Sequence, residues 1–413
     1  MTECIILVKK NIILLFFVQA SNYLFPLLSL PYLMRVLGAE NFGIVAMVQA
    51  WIQYIIIFVD YGFNFSATLL ISVNKSNQSK IDSIYTAVTA AKMVLLLIVS
   101  CIFSLYVIIN GMSVYSYLIL LGMISVIGTV LFPVWLFQGI EKMQGIAICT
   151  TLAKCVSLLL IFLLVKTPED MNMAVISQSS GMFISGILAC IFIKKQKLAK
   201  FTRVSKQEIY SVLSKGFDLF VSNITISFYT TLNILIIGYF GGPTLAGYFS
   251  AADKIRTAAQ GLMSPVQQAM FPRVSSLISE GKKLKEIWGL YGKKFIAFGF
   301  LISFSMAVIG YPASLYYYSA EYHISSLILL VMSPLPLIVS VGIVFGQWWL
   351  IPNNLTKIVR KTYLAVSLMH IIVSVILMHI TPVYGVTISV IITEIIVSAI
   401  FVLASFNTGK ILK

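Results

Sequence analysis

Charge is what this chain has least of. Asp and Glu number 14 in 413 residues, Lys and Arg number 29, and 10% of all residues are charged, where soluble domains carry about 25%. No G-x-x-x-x-G-K-S/T phosphate loop, H-E-x-x-H pair or G-x-S-x-G elbow occurs. The motif-borne routes to nucleotide hydrolysis, zinc hydrolysis and serine chemistry are therefore closed. The five cysteines are Cys4, Cys101, Cys149, Cys155 and Cys190. They show no metal-ligand spacing, and all but Cys4 lie in apolar runs. Neither a disulfide framework nor a metal centre is expected. The carboxylates inside the apolar runs lack a nearby histidine, so no enzyme and no cofactor is expected either.

Hydrophobicity is what remains: 59% of residues are hydrophobic and the mean hydropathy is +0.97. A helix needs about 20 apolar residues to cross the hydrocarbon core. The runs predict twelve spans at roughly 11–34, 42–70, 84–109, 114–137, 146–165, 171–193, 212–240, 244–272, 293–317, 324–350, 362–381 and 384–406. Positive charge avoids every second gap between them. Of the 29 Lys and Arg, 23 lie in alternate gaps or at the two ends, and only Arg35 and Lys166 lie in the other gaps. This is the positive-inside pattern of a multi-pass inner-membrane protein with both termini in the cytoplasm. The net charge of +15 then faces the anionic cytoplasmic leaflet, which makes membrane lipids, and not nucleic acid, the expected partner. Lys9, Lys10 and Val18-Gln19-Ala20 faintly resemble a signal peptide. The apolar run continues to about Met34, however, which is too long for one.

A basic gap at mid-chain carries Lys194, Lys195, Lys197, Lys200, Arg203 and Lys206. It reads as a cytoplasmic linker (194–211) between an N-lobe (1–193) and a C-lobe (212–413). Leu37-Gly38-Ala39-Glu40-Asn41-Phe42-Gly43 resembles Gly241-Gly242-Pro243-Thr244-Leu245-Ala246-Gly247 at an offset of 204, and Leu118 to Met123 resembles Leu327 to Met332 at 209. The second offset also aligns Gln138 with Gln347. Six spans thus repeat once. An even number per lobe gives both lobes the same orientation, related by an axis along the membrane normal.

Polar residues inside the spans follow the repeat. Gln49, Gln53, Asp60 and Asn64 share one helical face, as do Asp253, Arg256, Gln260, Ser264 and Gln267. Gln19, Asn22 and Ser29 in the first span correspond to Asn223, Thr230 and Asn233 in the seventh. A charge at mid-bilayer costs at least about 2.5–3.5 kcal/mol on insertion scales, so it needs a partner, water or a ligand. Asp253 and Arg256 are one turn apart and can pair. The matching faces predict a shared water-filled cavity, against the plainer reading of amide networks that pack helices. Lys92 and Lys154 either enter that cavity or snorkel to the cytoplasmic surface. Glu394 is a buried protonated carboxyl or part of a proton relay, and His370 is a packed interface residue. Pro26, Pro31, Pro133, Pro265, Pro334 and Pro336 interrupt spans and predict kinks.

Four stretches carry a family resemblance. They are Gln19-Ala20-Ser21-Asn22-Tyr23 with Leu30-Pro31-Tyr32-Leu33; Gly38 to Gly43 with Asp60-Tyr61-Gly62-Phe63-Asn64; Trp135-Leu136-Phe137-Gln138-Gly139; and Ser250 to Arg256 followed by Pro265 and Phe271-Pro272-Arg273-Val274-Ser275. The chain resembles the O-antigen unit translocases (Wzx-type flippases) of the multidrug/oligosaccharidyl-lipid/polysaccharide (MOP) exporter superfamily. The resemblance implies an all-α, MATE-like integral membrane fold with two six-helix lobes that alternate access. Its implied substrate is an undecaprenyl-diphosphate-linked oligosaccharide moved from the cytoplasmic to the periplasmic leaflet. It implies a cationic site, for which this chain offers Arg256 and Lys254, with Lys154 and Lys92. Asp253, Gln260, Gln49, Gln53, Asp60, Gln19, Asn22 and Asn223 complete the candidate set, and Asp60, Asp253 and Glu394 are the candidates for ion coupling. Contact with an O-antigen polymerase and a chain-length regulator would follow. A cation-coupled small-molecule exporter of the same superfamily is the alternative. A membrane O-antigen polymerase is remote, because the predicted outside loops are short.

Overall fold

The computed structural model describes the backbone of residues 2–318 and 320–411, and side chains from Ser21 to Tyr318 and from Glu321 to Thr408. Among the described residues there are helices and turns and no strand. In hydrocarbon each backbone N–H and C=O must be satisfied internally, and a helix does this within one segment. In chain order the helices are α1 (Thr2–Asp60), α2 (Phe63–Val73), α3 (Gln78–Asn110), α4 (Val114–Leu131), α5 (Val134–Gly139), α6 (Met143–Leu164), α7 (Met171–Gln196), α8 (Lys206–Thr230), α9 (Leu232–Gly261), α10 (Ser264–Ser279), α11 (Leu284–Ile287), α12 (Lys293–Ser305), α13 (Tyr311–Tyr317), α14 (His323–Met332), α15 (Leu335–Gly342), α16 (Thr356–Ile380) and α17 (Gly385–Ile411). Short π-helical stretches fill Trp288–Gly292, Met306–Gly310 and Ile343–Leu350.

Ten segments among the described residues are long and apolar enough to cross a membrane. Two of them are far too long for one crossing, Ser21–Val73 with 53 residues and Lys206–Ser279 with 74. At 1.5 Å per residue each exceeds twice a hydrocarbon core of about 30 Å. Each contains a glycine of non-helical conformation inside a helix. Gly38 has φ 72° and ψ 173°, and Gly242 has φ 85° and ψ 168°. Only a residue without a Cβ takes this conformation readily. The two glycines stand 204 residues apart, the offset of the sequence repeat, so the repeat is one of backbone conformation as well as of letters. A second glycine pair lets the flanking helices touch. A Cβ on Gly43 would fall 1.8 Å from the Pro243 carbonyl oxygen, and one on Gly247 would fall 2.5 Å from that of Ala39.

Five spans expected to be continuous are interrupted, one of them, 212–240, at Thr231. Span 42–70 breaks at Tyr61 (φ 48°) and Gly62 (φ 74°), and span 244–272 at Leu262–Met263. Spans 114–137 and 324–350 break at Phe132–Pro133 and at Ser333–Pro334. The apolar runs resume directly after each of these points, so run length alone could not find them. The prolines also divide into two groups. Pro26 and Pro31 sit inside α1, whose only non-helical φ/ψ is at Gly38. Pro133, Pro265 and Pro334 instead stand at or beside helix starts, where a missing N–H is harmless.

The chain divides into two compact units. One runs to Leu37 and from Ile44 to Ile224; the other contains Gly38–Gly43 and Thr225 onward. In the first, α7 packs against α4 and α6, and α2 against α5. In the second, α17 packs against α16 and α15, and α9 against α14. The basic segment after α7 is docked. Gln78 Nε2 donates to the Leu198 carbonyl at 3.0 Å, and the Lys200 and Thr202 amides donate to Asp82 Oδ1 and Thr86 Oγ1, both at 3.0 Å. Leu198 and Ala199 are buried there, while the six cations stay exposed.

Candidate functional site

In the second unit the polar residues of α9 lie at i, i+3 and i+7 and form one connected group. Arg256 donates through Nε to Asp253 Oδ1 at 2.8 Å and through Nη1 to Gln260 Oε1 at 2.7 Å. Its Nη2 lies 2.7 Å from the same carboxylate oxygen and 3.0 Å from Thr257 Oγ1. The guanidinium fork is thus held by its own helix. The Arg256 and Asp253 side chains are 19% and 24% exposed, so the pair is not sealed in dry protein. Glu394 on α17 lies within electrostatic reach of Arg256, and also of Tyr229 and Tyr363. These two tyrosine rings stack with centroids 6.1 Å apart. Asp253, Arg256, Gln260 and Glu394 therefore gather as one cluster.

Lys254 lies within electrostatic reach of Asp253 but is outside the hydrogen-bonded group. It is one residue along, about 100° round the helix, and its Nζ sits 5.2 Å over the Phe42 ring. Ser264 and Gln267 lie beyond the break after α9. The Gln267 side-chain amide donates to Gln347 Oε1 in the π-helical stretch. In the first unit Thr68 Oγ1 donates to Gln138 Oε1 at 3.4 Å. Gln138 and Gln347, aligned by the sequence repeat, thus each brace the piece that follows a broken helix.

In the first unit Asp60, at the end of α1, accepts from Lys92 Nζ on α3 at 2.6 Å and from the Asn64 amide. Lys92 also donates to the Thr129 carbonyl at 3.3 Å and is 1% exposed. The snorkelling alternative is therefore wrong for Lys92. Its ammonium is also spent on Asp60, which corrects its place among the free cations. Lys154 does not snorkel either. Helix α6 begins at Met143, so Lys154 lies eleven residues in and ten from Leu164, farther from either end than its stem reaches. It donates to Asn22 Oδ1 across the bundle. Gln53 and Asn22 are exposed and Asn223 is half-buried. Gln49 Nε2 is buried without a hydrogen-bond partner. The side chain of Gln19 lies outside the described residues.

His370 is fully buried where α9, α16 and α17 meet. Its Nδ1 is 2.7 Å from Thr393 Oγ1, and its Nε2 is 2.8 Å from Asn233 Oδ1 and 3.2 Å from Ser374 Oγ. It is a packed interface residue, and Asn233 is its partner, not a lining group. Among the described residues no cluster of three His, Cys, Asp or Glu could hold a metal ion.

The polysaccharide biosynthesis protein family matches residues 8–278. A relative from Shigella dysenteriae named "Putative O-antigen transporter" is 36% identical over 394 residues, 94% of this chain and 98% of its own length. One of the same name from Escherichia coli (strain K12) is 33% identical over 402 residues, 96% of both chains. This chain belongs to the polysaccharide biosynthesis protein family. Both relatives of this family member are named as transporters, in agreement with the expectation of no enzymatic chemistry. It is a multi-pass protein of the bacterial inner membrane.

Solved structures identify the fold of this polysaccharide biosynthesis family member. An inward-facing MATE family multidrug resistance transporter of the MOP superfamily superimposes with a TM-score of 0.73 at 13% identity, covering 94% of this chain and 95% of the other. The lipid II flippase MurJ, in an inward closed conformation, gives 0.74 at 16% identity, covering 96% and 87%. Sequence reasoning missed the pairing of Asp60 with Lys92 and the approach of Glu394 to Arg256. For the first of these the available signal was charge balance: Asp60 and Lys92 are an acid and a base inside different spans, neither with an oppositely charged residue in its own span.

Proposed function

We propose that this protein carries a polyprenyl-diphosphate-linked O-antigen unit across the inner membrane. The family membership and the relatives' names support a lipid-linked polysaccharide flippase, and one observation carries the finer reading. The Asp253–Arg256–Gln260 group, with Glu394 in reach, places fixed donors and acceptors of both charges far inside apolar segments. The pair is also incompletely buried, its side chains 19% and 24% exposed, which leaves its polar edges open to a ligand. Such a group suits a headgroup of sugar hydroxyls and phosphate oxygens, which an arginine fork can grip in pairs. The acyl-like prenyl chain needs no such site and stays in lipid.

The two overlong segments each make two crossings, divided at Gly38 and Gly242. Ten segments then become twelve crossings, six per lobe, with both termini in the cytoplasm. The two lobes alternate access, and contact with the O-antigen polymerase and chain-length regulator follows from delivery at the periplasmic face. A deletion strain complemented with Arg256→Ala is expected to lose surface O-antigen while its protein level in the membrane is unchanged. Wild-type amounts of O-antigen from that strain would remove the assigned role.

A further inference from the structure

The stretch Lys194–Lys206 carries six cations, and a run of that charge ordinarily stays solvated. Its charged side chains do, but its backbone does not. The chain leaves α7 through a left-handed turn at Lys197 (φ 51°) and then runs along α3. Gln78 Nε2 donates to the Leu198 carbonyl, the Lys200 amide donates to Asp82 Oδ1 and the Thr202 amide donates to Thr86 Oγ1, each at 3.0 Å. The partners advance by two along the segment and by four along the helix. Two extended residues cover about 6.6 Å and four helical residues about 6.0 Å, so the two registers match over all of these rungs. The rungs are themselves aimed. Gln78 Nε2 also donates to Asp82 Oδ1 at 2.9 Å, and the Thr86 hydroxyl donates to the Asp82 carbonyl at 2.8 Å. Asp82 is 8% exposed, a depth at which a carboxylate needs such donors. Between the rungs Phe201 packs on Tyr85, with ring centroids 4.9 Å apart.

The far end is pinned as well. Ser205 and Glu208 cap the start of α8 reciprocally: the Ser205 amide donates to Glu208 Oε2 at 2.7 Å, and the Glu208 amide donates to Ser205 Oγ at 3.2 Å. The other Glu208 oxygen accepts from Ser83 Oγ on α3 at 2.7 Å. Along α8, Val212, Gly216 and Phe220 follow at steps of four, on one helical face. Gly216 is buried, and a Cβ there would fall 2.9 Å from the Tyr61 carbonyl oxygen. The Phe220 ring stacks on that of Tyr61 with centroids 4.5 Å apart. The first turns of α8 thus close on the Tyr61–Gly62 break at the end of α1. The first compact unit accordingly reaches Ile224, inside α8.

We infer that residues 198–203 are a strap, docked on the Gln78–Asp82–Thr86 face of α3, that carries the first turns of α8 with the first unit and holds them against the Tyr61–Gly62 break. Motion of one unit against the other then enters the chain later in α8 and not in the basic segment. That motion rests on the alternating-access reading; the docking does not. The test uses the full chain in nanodiscs, with its five cysteines replaced by alanine and spin labels at Asn110 and Tyr210, both exposed. A single narrow distance distribution between the labels is expected. Asp82→Ala with Thr86→Val removes two rungs. The distribution should broaden, and the initial rate of trypsin cleavage at the exposed Lys200 and Arg203 should rise about tenfold or more. Gln78→Ala, at an exposed position, should give a smaller rise of the same sign. Asp82→Asn keeps an acceptor oxygen and should cleave as wild type does. Unchanged cleavage in both the double variant and Gln78→Ala would show that the ladder does not hold the segment. Faster cleavage with an unbroadened distribution would show that α8 is held by its own packing and that the strap carries nothing. Either result overturns the inference. A wild-type chain that fails to restore O-antigen to the deletion strain removes the flippase reading and leaves the docking standing.

Discussion

The two units neutralise their buried charge in opposite ways. In the second unit Asp253, Arg256 and Gln260 lie within seven residues on one helix and bond to one another. In the first unit Asp60 and Lys92 are 32 residues apart on different helices, and Lys154 and Asn22 are 132 apart. A bond within one helix survives when helices slide, because both partners move together. A bond between helices holds only one arrangement of the bundle. The first unit therefore uses its charges to fix helix against helix, and the second carries a preassembled polar group that can move as a piece. The π-helical stretches lie in the second unit, and segments of that kind often mark functional sites in helices.

The largest test of this contrast is Asp60→Ala. Lys92 is 1% exposed, so removing its partner leaves a buried charge unpaired, at about 3–5 kcal/mol. Denaturant unfolding in detergent should show this, and Asp60→Ala with Lys92→Met should recover most of it. Failure of the double variant to recover would mean that the pair does more than cancel charge. His370→Leu comes next. It strands Asn233, Ser374 and Thr393 in a junction of three helices, with an expected loss of about 1–3 kcal/mol by the same measurement. Asp253→Ala should cost much less stability, about 0–1 kcal/mol, because Arg256 is incompletely buried and keeps its bonds to Gln260 and Thr257. A loss as large as that of Asp60→Ala would erase the distinction between the units.

The smallest effect belongs to the turn before α7. Asp170 accepts from the backbone amides of Lys166 and Thr167 at 2.8 and 2.7 Å. These bonds, with that from the Thr167 hydroxyl, hold its carboxyl below the usual carboxylate range. A depressed carboxyl contributes stability above its unfolded value, about 3.9, and loses it as pH falls through the folded value. Protection of those two amides, measured against their intrinsic exchange rates at each pH, should therefore fall as pH drops below about 4, and in Asp170→Asn at neutral pH. Unchanged protection in both would show that the turn is held by other contacts.

Much of the second unit's site was legible because its bonds are local. The 3 and 4 spacing of Asp253, Arg256 and Gln260 on an apolar helix leaves few alternatives. The aligned glycines at 38 and 242 were equally visible as letters, although their left-handed geometry was not. The helix breaks at Tyr61–Gly62 and Leu262–Met263 were hidden, because the polar residues beside them, Asp60, Asn64, Gln260 and Ser264, also fit one face of an unbroken helix. Lys92 and Lys154 stayed open in sequence between the cavity and the surface for a related reason: distance to a helix end allows either, and partners on other helices decided it.

Apolar run length and the placement of 29 cations determined by themselves that this chain lives in a bilayer, since hydrocarbon penalises exposed charge and open backbone wherever they occur, and matched letters 204 residues apart carried the repeated glycine break. Which acid meets which base was decided only by folding. A pair joined across two helices depends on their register and rotation, and those are set by packing across the whole bundle, which no local stretch of sequence encodes.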